Sequence, residues 1–378
     1  MRRLINVAAA CALSSTLMAG ANAQQPAEIG VLLPLSGPNA SNGAKTLAGV
    51  NAALAEINEL GGVLGGRELK LIIEDTESKP QPAIEAVRKL VDVNKVPLVL
   101  GDISSSVTIP TGKYTISKGM NQITIAATAQ AQREIGDGLF TMLATNDVLG
   151  VKMAEFVVED AKPEKVALVY MNDPFGVGMA RAIEGGLKDL GVEIAADLAL
   201  EPAKTDYRAE LQRLVRAKPD AIITVAFGDT ARVILKQSFE LGVLKQAQGK
   251  WYQSYVSAGT SKCIPEICEG IKGLDITAEP GTRYDSIIER ISETTDGEVE
   301  LDWFTSVGYD SVWVAALSLN FANSMDPQAI QKAIPKAMEI YRGVTKSDFS
   351  VDEDGIQASQ RYGRRVYTDG ALIDYVPE

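Results

Sequence analysis

Histidine is absent from all 378 residues. That removes the commonest general base and the commonest biological metal ligand together. A Ser-His-Asp triad cannot be assembled, and no Gly-x-Ser-x-Gly elbow occurs either. Cysteine is nearly absent, with Cys11, Cys263 and Cys268 alone. Two thiols beyond the first segment make a poor metal site, so neither a metal nor a cofactor is expected. Positive charge is the minority sign: 37 Lys and Arg stand against 49 Asp and Glu, a net −12. Such an acidic surface argues against nucleic acid or an anionic membrane as partner and favours a soluble monomer. After the first two dozen residues no apolar run approaches the roughly 20 residues that a membrane span needs.

The first residues read as a leader. MRR is basic, LINVAAACALSSTLMAG is apolar, and Ala21-Asn22-Ala23 is a small-residue cleavage site before Gln24. This predicts a secretory signal peptide over residues 1–23 and a periplasmic location. Lipoprotein processing at Cys11 is the alternative; the preceding Ala8-Ala9-Ala10 lacks the bulky aliphatic residue such a site prefers. Export leaves Cys263 and Cys268, spaced as CIPEIC, an even pair in an oxidising compartment that suggests a disulfide.

What is present is a repeated alternation. EIGVLLPL (28–35), ELKLIIEDT (68–76), VPLVLG (96–101) and NQITIAAT (121–128) read as buried strands. Helical spacing fills 43–60, 82–93 and 107–119 between them. The rhythm restarts with strands at 165–171, 192–200, 221–227 and 250–256, and helices at 177–190, 206–217 and 229–241. Helices at 282–294, 303–322 and 326–340 and a hairpin over 363–376 follow. The fold class expected is α/β, with two doubly wound parallel-sheet lobes. LATNDVLG (143–150) and LDITAEPG (274–281) are candidate crossovers between them.

In open α/β sheets, ligands sit beyond the carboxyl ends of the strands. Ser104, Ser105 and Ser106 lie there, where PLVLG ends and a helix begins. A helix start carries unpaired amides and partial positive charge, and serine hydroxyls add donors without bulk, so the site suits an anion. One serine would suffice as a helix cap; three are present. ITIAATAQ repeats the design at Ala126, Ala127 and Thr128. Two such turns on adjacent strands are expected to grip one carboxylate.

On these residues the chain resembles the periplasmic binding proteins of ABC transporters, of the branched-chain amino acid type. The likeness runs through IGVLLPLSGPNASNG, GVNAALAEINELGGVLGGRELKLIIEDT, GDISSS, the strand ending AAT, KVALVYMNDPFGVGMARA and TDYRAELQRLVRAKPDAIITVAF. The resemblance implies two type I lobes, 24–144 with 279–348 and 145–278 with 349–378, joined by three crossovers and closing on a small ligand for an inner-membrane permease. It assigns the ligand's carboxylate to Ser104, by side chain and amide, and to Thr128, and its ammonium to the Ala126 carbonyl. Phe175, Phe227 and Tyr309 match wall positions, and Ser105 completes the serine turn.

Two departures matter. Binders of amino acids in this group carry an acidic residue after the strand that here ends SYVSAGT, where Ser257 stands instead. Asn42 replaces an aromatic residue of the first loop. An ammonium buried without a countercharge costs several kcal/mol, so a carboxylate or amide lacking one, bonded at its far end by Asn42, is expected. Asp102 and Asp229 are the alternative sources of charge. GPNASNGAKT lacks P-loop spacing, the carboxylates of EDTE (74–77) and VDEDG (351–355) sit in turns, and Trp251, Trp303 and Trp313 are expected in the core. A ligand sensor of the same fold and a secreted α/β enzyme are the rival classes.

Overall fold

The computed structural model describes residues 25–202, 204–247, 249–260, 263–295, 299 and 301–377; the leader assigned to residues 1–23, with Cys11, lies outside them. Apolar runs that are buried on both faces make the centre of each lobe. The first sheet contains β1 (Ala27–Leu33), β2 (Leu69–Asp75), β3 (Leu98–Leu100), β4 (Asn121–Thr124) and β5 (Leu139–Thr141), all parallel, in the order β2-β1-β3-β4-β5. Alternation along β1 sends Ile29, Val31 and Leu33 into the main core and Leu32 into a smaller one with Val87, Leu90 and Val99. Helices therefore cover both faces: α1 (Ala40–Glu59), α2 (Pro80–Arg88) and α3 (Ser105–Ser117), with α11 (Tyr284–Thr294), α12 (Trp303–Ala322) and α13 (Pro327–Ile340) returning later in the chain.

The second sheet has seven strands in the order β12-β11-β10-β9-β8-β6-β7. They are β6 (Lys165–Met171), β7 (Glu193–Leu200), β8 (Ala221–Val225), β9 (Trp251–Ser254), β10 (Lys272–Ile276), β11 (Tyr362–Thr368) and β12 (Ala371–Asp374). Strands β6 to β10 are parallel, and β11 and β12 add an antiparallel hairpin at the β10 edge. Around it lie α4 (Asn146–Ala161), α5 (Pro174–Asp189), α6 (Arg208–Ala217), α7 (Gly228–Glu240), α8 (Val243–Ala247), α9 (Val256–Thr260) and α10 (Pro265–Cys268). Local chemistry sets the starts of α5 and α12. Asp173 accepts the Gly176 N–H ahead of Pro174, and Asp302 accepts the Phe304 N–H while Thr305 reaches back to the Asp302 amide.

The chain passes between the sheets after β5, after β10 and after α13. These crossings are stitched together: Ala144 pairs with Gln357, Thr141 N–H donates to the Gly355 carbonyl, and Glu279 N–H to the Thr345 carbonyl. Lys346, buried in the last crossing, donates to the Ser359 carbonyl at 3.2 Å. Two expectations need correction. Residues 274–276 belong to β10, because Leu274 pairs with both Ser254 and Arg364 and so continues the sheet. Residues 146–150 are the start of α4, whose apolar residues Leu149, Met153, Phe156 and Val157 pack into the core; β5 and the body of α4 went unread. Cys263 and Cys268 are joined as a disulfide beside α10.

Candidate functional site

Strands β3 and β4 lie side by side, so the turns leaving their carboxyl ends meet. Ser105 ties them: its Oγ accepts the Ala129 N–H at 3.1 Å and the Thr128 N–H at 3.3 Å. Both side chains line a gap between the lobes, together with Ile103 and Ala126. Ser105 is also the first residue of α3, so a helix start lies at this place. Behind the turn Asp102 is fully buried and accepts from Ser104 N–H at 2.7 Å and from the Thr76 hydroxyl at 2.8 Å. Burial pushes its carboxyl up to about 7 against the pull of those donors.

The opposite wall is aromatic. Phe175 at the start of α5, Phe227 just before α7 and Tyr255 just after β9 come from three strand ends of the second lobe, with Ala258 beside them. Phe175 meets Phe227 edge to face at 5.1 Å and lies 6.2 Å from Tyr255. Trp303 and Phe304, at the head of α12, close the end of the gap; their rings stack at 3.8 Å, and Trp303 lies 5.3 Å from Tyr255. The cavity between all these groups is about 20 Å³, little more than a water molecule needs. The rings touch one another across it, so a ligand enters only as they or the lobes move apart.

No ionisable acid or base among the lining residues carries charge at neutral pH; burial holds the Tyr255 phenol up at about 12. Thr128 Oγ1, Tyr255 Oη and Tyr362 Oη are buried neighbours without one well-formed hydrogen bond among them. Buried hydroxyls left so are costly, about 1–3 kcal/mol each, and an incoming polar group would satisfy them.

The residues expected from the sequence divide. Ser105, Ala126, Thr128, Phe175 and Phe227 come together around the gap. Ser104 does not line it: its amide is taken by Asp102 and its hydroxyl lies 2.9 Å from that of Ser106. Asn42 is buried in α1 with both side-chain amide atoms unpartnered, yet lies outside the lining. Ser257 is engaged by the Trp303 indole, whose N–H donates to its Oγ at 3.0 Å. Tyr309 is not a wall; it is buried between α12 and α1, donating its hydroxyl to Glu56. The alternative countercharges are spent elsewhere, Asp102 as above and Asp229 on Arg232.

Ile103, Tyr255, Ala258, Trp303 and Phe304 are the lining residues that the sequence did not point to. Trp303 was expected in the core, and it does pack there, with one face on the gap. A signal for Tyr255 existed: it follows the carboxyl end of a parallel strand, the place where ligands sit. Its φ of +47° is a conformation that bulky side chains seldom adopt. The lobes also touch at the mouth of the gap, where Asp229 N–H donates to the Pro38 carbonyl at 3.0 Å. Only glycine fits at 228, since a Cβ there would lie 2.5 Å from Asn39 Oδ1.

Comparisons with known proteins agree with this architecture. Residues 26–370 match the family described as periplasmic binding protein. The Leu/Ile/Val-binding protein homolog 1 of Brucella abortus is 26% identical over 349 residues, which is 91% of each chain. The fold superposes on the branched-chain amino acid transporter substrate-binding protein LivJ of Streptococcus pneumoniae, solved with isoleucine, with a TM-score of 0.81 at 21% identity, covering 92% of this chain and 98% of that one. A solute-binding protein of an ABC transporter from R. palustris, solved with benzoate, gives a TM-score of 0.81 at 17% identity, covering 92% and 95%.

Proposed function

The chain belongs to the periplasmic binding protein family, and from that premise we propose that it is the exported solute receptor of an ABC transporter. It works in the periplasm, as a monomer, and hands its ligand to an inner-membrane permease. Its lobes, 24–144 with 279–348 and 145–278 with 349–378, swing about the three crossings and close on the ligand. Closure follows from differential affinity for the closed form and needs no bond chemistry.

The ligand is a small carboxylate with an aromatic or branched apolar body and no ammonium group. One observation carries this reading: the gap is lined by the hydroxyl residues Ser105 and Thr128 on one side and by rings on the other, with no carboxylate among the lining residues. Thr128 and Ser105, with the α3 amides, receive the carboxylate. Phe175, Phe227, Tyr255 and Trp303 enclose the apolar body, and the Tyr255 hydroxyl bonds a polar substituent. An amino acid would bring an ammonium into this gap with nothing ionised to meet it, a burial that costs several kcal/mol. That weighs against leucine even though relatives of this chain bear Leu/Ile/Val-binding names.

Calorimetric titration of the mature chain with benzoate, 4-hydroxybenzoate, leucine and isoleucine tests the reading. The aromatic acids are expected to bind at least tenfold more tightly than either amino acid. Leucine binding tighter than both acids would sink the ammonium-free assignment, and heat from none of the four would remove the ligand class altogether.

A further inference from the structure

Trp303 belongs to the first lobe through α12, yet its single N–H donor points into the second. It reaches Ser257 Oγ at 3.0 Å. Ser257 in turn gives its backbone N–H to Asp275 Oδ2 at 3.0 Å, which sets its side chain beside the same carboxylate. A run from indole N–H to Ser257, and from the Ser257 amide to a carboxylate, thus crosses between the lobes. Ser257 and Asp275 are both buried and neither lines the gap; the Trp303 ring does.

An indole has one polar handle, so holding that hydrogen fixes how the ring turns toward the gap. The ring so fixed is the one stacked on Phe304 and set against Tyr255. The charged and titratable groups facing Asp275 are Asp302 at the head of α12, Arg365 on β11, Tyr284 on α11 and Tyr255 just after β9. Asp302 is itself held by Lys45 at 2.9 Å.

We propose that Ser257 and Asp275 are positioning residues that orient the Trp303 indole across the interlobe gap, so that closing the lobes and raising the aromatic wall are one event. The assignment rests on the reading of this gap as the ligand site. It also explains the serine where an acid was expected: the hydroxyl serves the wall, and the acid stands one bond behind it. Burial and the neighbouring Asp302 push the Asp275 carboxyl up to about 7. Ionisation as pH rises through 7 sets two carboxylates against each other at the closed contact and weakens it.

The experiment uses the mature chain saturated with 4-hydroxybenzoate, or with whichever of the four compounds the titration shows to bind, labelled with ¹⁵N at its three tryptophans, Trp251, Trp303 and Trp313. Trp303→Phe assigns its indole resonance. In Ser257→Ala and Asp275→Ala that resonance is expected to shift and its N–H to exchange with solvent at least tenfold faster, while the other two stay in place. Asp275→Asn keeps an acceptor for Ser257 and is expected to restore the protection. It is also expected to abolish the movement of the Trp303 signal between pH 6 and 8 seen in the parent chain. A Trp303 signal untouched by Ser257→Ala, or one that changes no more than those of Trp251 and Trp313, overturns the proposal. Because the titration fixes beforehand which compound closes the lobes, an error in the ligand class leaves the outcome unchanged.

Discussion

The two walls of the gap are built on opposite principles. The first lobe offers short hydroxyls and backbone amides on turns tied together by Ser105; the second offers bulky rings from three separate strand ends. Behind each wall stands a buried carboxylate that accepts the backbone N–H of a serine, Asp102 for Ser104 and Asp275 for Ser257. The polar wall is shaped by hydrogen bonds within one lobe. The ring at the end of the gap depends on a bond that exists only when both lobes are present. Under the proposed function, recognition of the charged end is therefore set in advance, and selection by size and shape is set on closure.

The sharpest way to break this contrast is to empty the aromatic wall. Phe175→Ala removes a ring in contact with both Phe227 and Tyr255. It is expected to lower stability by about 3–5 kcal/mol, as Phe-to-Ala changes at buried sites do, and to weaken 4-hydroxybenzoate binding by about a hundredfold, roughly 2.7 kcal/mol. Denaturation curves and calorimetry check both figures. Binding largely kept by Phe175→Leu but lost in Phe175→Ala would show that filling, not aromaticity, is what the wall supplies.

The paired carboxylates give the next effect. Burial raises Asp102 and Asp275 each to about 7, far above the carboxylate of an unfolded chain. A group raised in this way contributes stability at low pH that is lost as pH climbs through the folded value. The parent chain is thus expected to lose on the order of 2 kcal/mol relative to Asp102→Asn, and likewise to Asp275→Asn, between pH 5 and pH 8. Urea midpoints across that range measure it; parallel pH profiles for parent and variants would exclude it.

The smallest effect isolates a single atom. Thr128→Val keeps the shape of the polar wall and deletes a buried hydroxyl that lacks a well-formed bond. The unliganded chain is expected to gain about 1 kcal/mol, while benzoate binding falls about tenfold. Stability and affinity moving in opposite directions is the signature of a group kept for a ligand; both falling together would mark Thr128 as structural.

Much of this could be read from the residues alone, for identifiable reasons. Continuous apolar strands such as VALVYM and AIITVAF announce a parallel sheet, and such a sheet dictates where ligands go. Hence the turns at Ser105 and Thr128 were accessible, while Phe175 and Phe227 were pointed to by the family resemblance. The errors cluster where tertiary context decides. Ser104 and Ser105 are equivalent in composition, and only the Asp102 carboxylate, by taking one amide, determines which hydroxyl faces the gap. Trp303 heads a helix apolar on nearly every side, so no periodicity separates its exposed face from its core face. The three-residue strand β5 is too short to register as a pattern.

Ser105 has a kinetic corollary. Because its oxygen accepts from two amides of the neighbouring turn, the surface proposed to receive an anion is tied together before any solute arrives. Capture there requires no loop to be ordered, and so sheds little entropy at first encounter. Departure is governed elsewhere, by how long the rings opposite and the indole at the gap's end stay in place. Arrival and residence thus fall to different halves of the molecule, each open to tuning without disturbing the other.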